Sequence, residues 1–254
     1  MKFENKSDIV NFVRRSLAKV YNCDENIWNN DGINFIEYSG RKSGNQDPFL
    51  QFINFQNCIA IIGDKAILEK IKPYISDKSR EEIFEFPLIY GLTIFCIPDP
   101  KSLFSSKTEY KLGWMHDNFE QRLPKSFEYV LDFDSENHCT TKIVHYAEDN
   151  GKIIAAASAC LAQPFDDMYS IGIEVLPEYR NKGLGTTLVN NLTQKLLSMD
   201  VLPYYKVASS NVASLATAYK SNFIPLWCES YKNILDGSSS FNNLLNDLIK
   251  KFKN

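Results

Sequence analysis

Arg180-Asn181-Lys182-Gly183-Leu184-Gly185 places two cations and two glycines within six residues. An apolar run over residues 171–176 and then Pro177 precede them. Leu184, Leu188, Leu192 and Leu196 follow at every fourth position, with Val189 beside them, which predicts a helix. Strand, glycine turn and helix start form a layout for holding phosphate. The first N–H groups of a helix have no partner inside it, and the helix dipole favours an anion there. Glycine lets the backbone approach a ligand because no Cβ intervenes. The spacing is not GxxxxGK[ST], and Gly183-Leu184-Gly185-Thr186-Thr187-Leu188 lacks the third glycine of a dinucleotide fingerprint. Close by in sequence, Glu174 sits inside an otherwise apolar strand, where desolvation raises a carboxyl pKa towards that of a general base. Strand alternation also allows it to face away from the neighbouring Val175. Asp166 and Asp167 lie in a loop, as solvated acids or facing substrate. His116, His138 and His145 are too scattered for metal-ligand spacing, so no metal is expected.

Arg-x-x-Gly-x-Gly after a strand ending Val-x-Pro resembles the pyrophosphate-binding motif of the GNAT superfamily of acyl-CoA-dependent N-acetyltransferases. A second stretch strengthens the resemblance. A strand over residues 202–208 leads to Asn211-x-x-Ser214, which opens a helix closing at Asn222-Phe223. This is similar to the family's Asn-x-x-Ala/Ser helix ending in Gly-Phe, with Asn222 replacing glycine; asparagine tolerates the left-handed conformation such a position needs. The resemblance covers the second half of the chain. It implies a GNAT-like N-acyltransferase fold with acetyl-CoA as co-substrate. It implies that a backbone N–H near Val175 polarises the acetyl carbonyl. Main-chain groups of Val175, Arg180, Asn181, Lys182, Gly183, Leu184, Gly185 and Thr186 would hold the cofactor, with Asn211 and Ser214 as further contacts. The bland alternative is a βα turn with solvent-facing cations, Asn211 being an N-cap and Ser214 a surface residue. Many relatives carry a tyrosine, the acid for the leaving thiolate, at the position of Ala218. Here the tyrosine comes one residue later, and helical geometry groups Tyr219 with Val212, Leu215, Ala216 and Phe223 as an expected core face.

Composition sets the frame. The chain has 254 residues, 44% hydrophobic, with a formal net charge of −3, so no basic field points to nucleic acid or an anionic membrane. Six scattered cysteines without a CxxC pair read as reduced, mostly buried thiols of a cytoplasmic protein. The first residues carry no apolar signal core, and the apolar stretch 153–162 is too short to span a bilayer.

The elements that must position these residues follow. An N-capping Ser7 or Asp8 opens a helix with Ile9, Val13, Leu17 and Val20 on one stripe. Strands are expected over residues 33–38, 49–55, 57–62 and 88–97. Asp64 caps a helix that Pro73 kinks or ends, and Ser79 to Glu82 has capping-box spacing. Asp149-Asn150-Gly151 joins two strands as a hairpin. Residues 224–235 supply final strands, and Phe241, Leu244, Leu245, Leu248, Ile249 and Phe252 form the stripe of a C-terminal amphipathic helix. The expected class is α/β with a mixed sheet: a smaller N-terminal α/β domain, residues 1–115, shaping the acceptor site or serving as a structural partner, and a GNAT-like domain, residues 116–254. The expected reaction moves acetyl from acetyl-CoA directly to a primary amine of a small molecule or peptide. A homodimer is one option, and no nucleic-acid or membrane partner is expected. The rival is a CoA-binding or sensing module of the same fold without chemistry; a nucleotide-phosphate binder is a third reading.

Overall fold

The computed structural model describes residues 2–38, 49–86, 89, 91–104, 107–230 and 233–234. In chain order the elements are helix α1 (Lys6–Tyr21), strands β1 (Gly32–Glu37), β2 (Phe49–Phe55) and β3 (Cys58–Gly63), helices α2 (Lys65–Ile75) and α3 (Arg80–Phe84), strands β4 (Leu92–Pro98) and β5 (Lys111–Met115), and helix α4 (Phe119–Arg122). Then come β6 (Thr141–Asp149), β7 (Lys152–Cys160), β8 (Met168–Val175), α5 (Leu184–Ser198), β9 (Leu202–Ala208), α6 (Val212–Lys220), β10 (Phe223–Ser230) and β11 (Asn233–Ile234). The expected amphipathic stripe from Phe241 to Phe252 lies outside the described residues.

Contacts divide the chain into two units, each built from two segments. One comprises Met1–Ser16 and Phe95–Pro225, the other Leu17–Ile94 and Leu226–Asn254. This is not the single cut after residue 115 suggested by the sequence. The physical reason lies at the N-terminus. The Lys2 N–H donates to Asp200 Oδ1 at 2.7 Å, and Ser16 Oγ donates to Asp167 Oδ2 at 2.9 Å. Phe3, Ile9, Phe12 and Val13 are buried. The first turn of α1 is capped by Asn5 rather than Ser7 or Asp8: Asn5 Oδ1 accepts the Asp8 N–H, and Asp8 Oδ2 accepts the N–H groups of Glu4 and Asn5.

In the unit containing residues 17–94, β3 pairs parallel with β1 and antiparallel with β2, and β2 also pairs with β10 and β11. Leu50, Phe52, Ile59 and Ile61 of this sheet pack with Leu68, Ile71 and Ile75 of α2 and with Ile83 of α3. Helix α2 runs through Pro73 instead of ending there. In a last turn, proline forfeits only one backbone hydrogen bond, and the Ser76 N–H still reaches Lys72 O at 3.1 Å. The Ser79–Glu82 capping box of α3 is present in both directions.

In the other unit, β5, β6, β7 and β8 form an antiparallel run, and β9 joins β8 in parallel. Asn150 and Gly151, both at positive φ, make the β6–β7 turn as the sequence predicts. Strand β7 carries Ala155, Ala156, Ala157 and Ala159, all fully buried. Side chains this small let elements come close on both faces. On one face lies α5, where Asn191 Nδ2 is 3.3 Å from His145 Nε2. On the other, Met115, Phe119, Leu123, Phe127 and Val130 pack with Val144 and Ala156.

Candidate functional site

Strand β8 is paired with β7 through Val175, but its pairing with β9 ends at Ser170↔Tyr204. Both strands continue, so beyond that pair they part, and β8 offers an edge over residues 171–175. At the end of this edge the chain makes a 3-10 turn, Pro177–Tyr179. Arg180 Nε donates back to Val175 O at 3.1 Å, which ties the first cation to the strand end. Asn181 (φ 62°) and Gly183 (φ 78°) are both left-handed. These two reversals bring the chain into α5, whose first bond is Thr187 N–H to Gly183 O at 3.0 Å. The N-cap, Gly183, has no side chain to cover the orphan N–H groups of the first turn.

The two glycines differ in what they require. Gly183 needs its positive φ, although a Cβ there would meet nothing within 4 Å. Gly185 is helical, and a Cβ on it would make ordinary contacts with Thr217 Cγ2 (3.5 Å), Ile173 Cγ1 (3.7 Å) and Val175 Cγ2 (3.7 Å). This packing sets the start of α5 against α6 and the odd-numbered side chains of β8. Leu184 is buried and anchors the turn, whereas Arg180, Asn181, Lys182 and Gly183 are exposed and Thr186 is half-buried. Lys182 Nζ lies over the Tyr179 ring, 5.0 Å from its centroid, and the Tyr179 hydroxyl donates to Asp149 Oδ2 at 2.9 Å. An exposed helix start with uncapped donors and two cations fits a pyrophosphate.

Glu174 is on the opposite face. Ile173 and Val175 face α5, so Glu174 and Gly172 face residues 119–131. Glu174 Oε2 accepts the Tyr129 N–H at 2.9 Å. Desolvation raises its pKa, against the Tyr129 hydrogen bond that lowers it; Glu128 raises it further and Arg180 lowers it. Gly172 has a strict steric role, because a Cβ there would overlap the Tyr129 carbonyl oxygen.

Asn211 caps α6, its Oδ1 accepting the Ser214 N–H at 3.2 Å. The Ser214 hydroxyl lies 2.8 Å from that of Tyr205 on β9. Ala218 is fully buried, whereas Tyr219 is 45% exposed and Val212 70% exposed. The inward face of α6 is therefore the one bearing Ser214, Ala218 and Ser221, and the expected core placement of Tyr219 is corrected. In the sequence VASLATAYK nearly every face is apolar, so periodicity could not choose between them. Tyr219 instead borders a cleft of about 420 Å³ with Asp99, Ser102, Asn222, Phe223, Ile224 and Pro225, which contains none of the loop residues. Asn222 adopts φ 58°, the left-handed conformation expected of it from the sequence.

Other candidates separate from the site. Asp167 binds Ser16. His138 is exposed beside Asp134. His145 is buried, its ring stacked 3.9 Å from that of Trp114 and its Nδ1 2.9 Å from Gly113 O. Burial lowers its pKa, outweighing the Gly113 bond that raises it. Among the described residues, no group of three or more His, Cys, Asp or Glu could hold a metal ion, and no helix is long and apolar enough to cross a membrane. Sequence reasoning missed Tyr205 and the Tyr129 N–H, because neither stands at a motif spacing.

Residues 108–223 match the model of the Acetyltransferase (GNAT) family. A crystal structure of a GNAT-family protein from Novosphingobium aromaticivorans aligns at TM-score 0.44 and 14% identity, over 56% of this chain and 63% of that one. A GNAT-family acetyltransferase from Colwellia psychrerythraea gives 0.40 and 11% over 55% of each chain. A GCN5-related N-acetyltransferase-like protein from Streptococcus suis gives 0.43 and 13% over 79% of each. The chain thus spans less than two thirds of the first two. No curated protein matches it.

Proposed function

We propose that the chain is an N-acetyltransferase moving acetyl from acetyl-CoA directly to a primary amine of a small molecule or peptide, a reading supported by the match of residues 108–223 to the model of the GNAT acetyltransferase family. The observation that carries this reading is the turn through Asn181 and Gly183 into an uncapped α5, set at the end of the free β8 edge. In this reading the N–H groups of residues 183–186 and the two cations hold the pyrophosphate. The free β8 edge pairs with the extended amide arm of the co-substrate, and an edge N–H near Val175 polarises the thioester carbonyl. Asn211 and Ser214 bound the arm on the α6 side. The amine approaches from the face of Glu174, away from α5. Desolvation raises the Glu174 pKa, which makes its carboxylate a stronger base. The six free cysteines fit a reducing, cytoplasmic setting.

The test begins with calorimetric titration of acetyl-CoA into the wild type, followed by CoA release measured across a panel of primary amines. Saturable binding with amine-dependent release is expected. Glu174→Gln should lower kcat and remove the acid limb of its pH profile while leaving acetyl-CoA affinity intact. Absence of acetyl-CoA binding refutes the transferase reading. A second reading, a CoA-binding module without chemistry, is favoured by one observation: position 218 holds a fully buried alanine. Binding without release by any amine would support it.

A further inference from the structure

The leaving thiolate of an acyl transfer needs a proton, and Ala218 cannot give one. We propose that Tyr205 and Ser214 act as a paired hydroxyl donor to the sulfur of CoA, with the phenol supplied from strand β9 instead of helix α6. This rests on the acetyltransferase reading above.

Three observations converge on the pair. Tyr205 is the first residue of β9 beyond the last pair with β8, so it stands where the two strands begin to part. Its side chain turns to α6, with its hydroxyl 2.8 Å from Ser214 Oγ and its ring edge-on to Phe223 at 5.8 Å. Ser214 and Ala218 share one helix face, being four residues apart. The phenol hydroxyl therefore ends one turn before the alanine, on that same face. Ser214 is only partly buried, so it links the covered phenol to the opening. Its backbone N–H is already taken by Asn211 Oδ1, and α6 lies beside the α5 start, where a Cβ on Gly185 would fall 3.5 Å from Thr217 Cγ2.

The step balances. The amine nitrogen forms the C–N bond, the C–S bond breaks, and sulfur takes the electron pair. The Ser214 hydroxyl proton passes to sulfur and the Tyr205 proton replaces it on Ser214. The proton lost by the amine passes to Glu174 and from it to solvent, and water returns one to Tyr205. Burial raises the Tyr205 pKa, so the phenol keeps its proton until a thiolate forms. Cys96, the titratable group whose charge acts on Tyr205, is itself pushed up to about 12 by burial and remains a neutral thiol.

The experiment reads the thiol of CoA bound to the full chain, by its ultraviolet thiolate absorbance against pH, and needs no acceptor. In the wild type the bound thiol should titrate below its free value. Tyr205→Phe and Ser214→Ala should each raise it by about one pKa unit, a tenfold change in thiolate population, as expected for losing a hydrogen bond to a charged group. Ser214→Thr, which keeps the hydroxyl, should titrate like the wild type. A merely structural tyrosine would move the melting temperature of Tyr205→Phe and leave the thiol titration unchanged. That result, with CoA still bound, overturns this assignment alone. Failure of the wild type to bind CoA overturns the transferase reading together with it.

Discussion

Replacing Thr186 with glutamate separates the ligand role of the loop from its structural role. Thr186 is the third residue of α5, half-buried, two residues beyond Leu184. A carboxylate in a first helical turn favours the helix by about 0.3–1 kcal/mol. The same carboxylate meets the phosphates proposed to sit there. Two unit charges about 4 Å apart repel by about 1 kcal/mol in bulk water and about 4 kcal/mol at the effective dielectric of a protein surface. Acetyl-CoA affinity should therefore fall by a factor between about 5 and about 1,000. The melting temperature should hold or rise, and the affinity gap should narrow in about 1 M salt, where screening acts over about 3 Å. Gly183→Glu is a less clean variant, because a side chain at φ 78° adds about 1–2 kcal/mol of backbone strain. Calorimetric titration and thermal melts of Thr186→Glu decide the matter. Equal affinity in wild type and variant, with both folded, would refute the placement of pyrophosphate at this helix start.

Three further outcomes follow from the packing. A chain beginning at Glu120 loses Phe3, Ile9, Phe12 and Val13, whose burial contributes about 6–12 kcal/mol, comparable to the whole stability of a domain. It should lack a cooperative thermal transition, and a native-like melt would overturn the assignment of residues 1–16 to this unit. Gly172→Ala should destabilise by about 1–3 kcal/mol in urea titration, because the new methyl displaces the Tyr129 backbone; an unchanged midpoint would contradict the close approach. Burial lowers the His145 pKa in the folded state. As pH falls through about 6.5 the unfolded chain therefore takes up a proton more readily than the folded chain, and stability falls as pH falls. Melting temperatures from pH 7.5 to 5.5 should decline less in His145→Gln than in the wild type, and parallel curves would count against this account.

The sequence alone determined the local chemistry. Asparagine at position 222 implies left-handed backbone, the hairpin at Asn150-Gly151 follows from turn chemistry, and the helices over Leu184 and Ser79 follow from periodicity and capping. These features depend on residues a few positions apart, so spacing is enough to read them. The tertiary structure decided everything that depends on which face meets which neighbour. It set Glu174 on the side of Tyr129 and turned Tyr219 outward while Ala218 went in. It brought residues 1–16 to a unit formed mainly from residues 95–225. It also joined the hydroxyls of Tyr205 and Ser214 across a strand and a helix. A short helix that is apolar on most sides, or a strand residue beside a two-sided sheet, has no preferred face until its partners are in place.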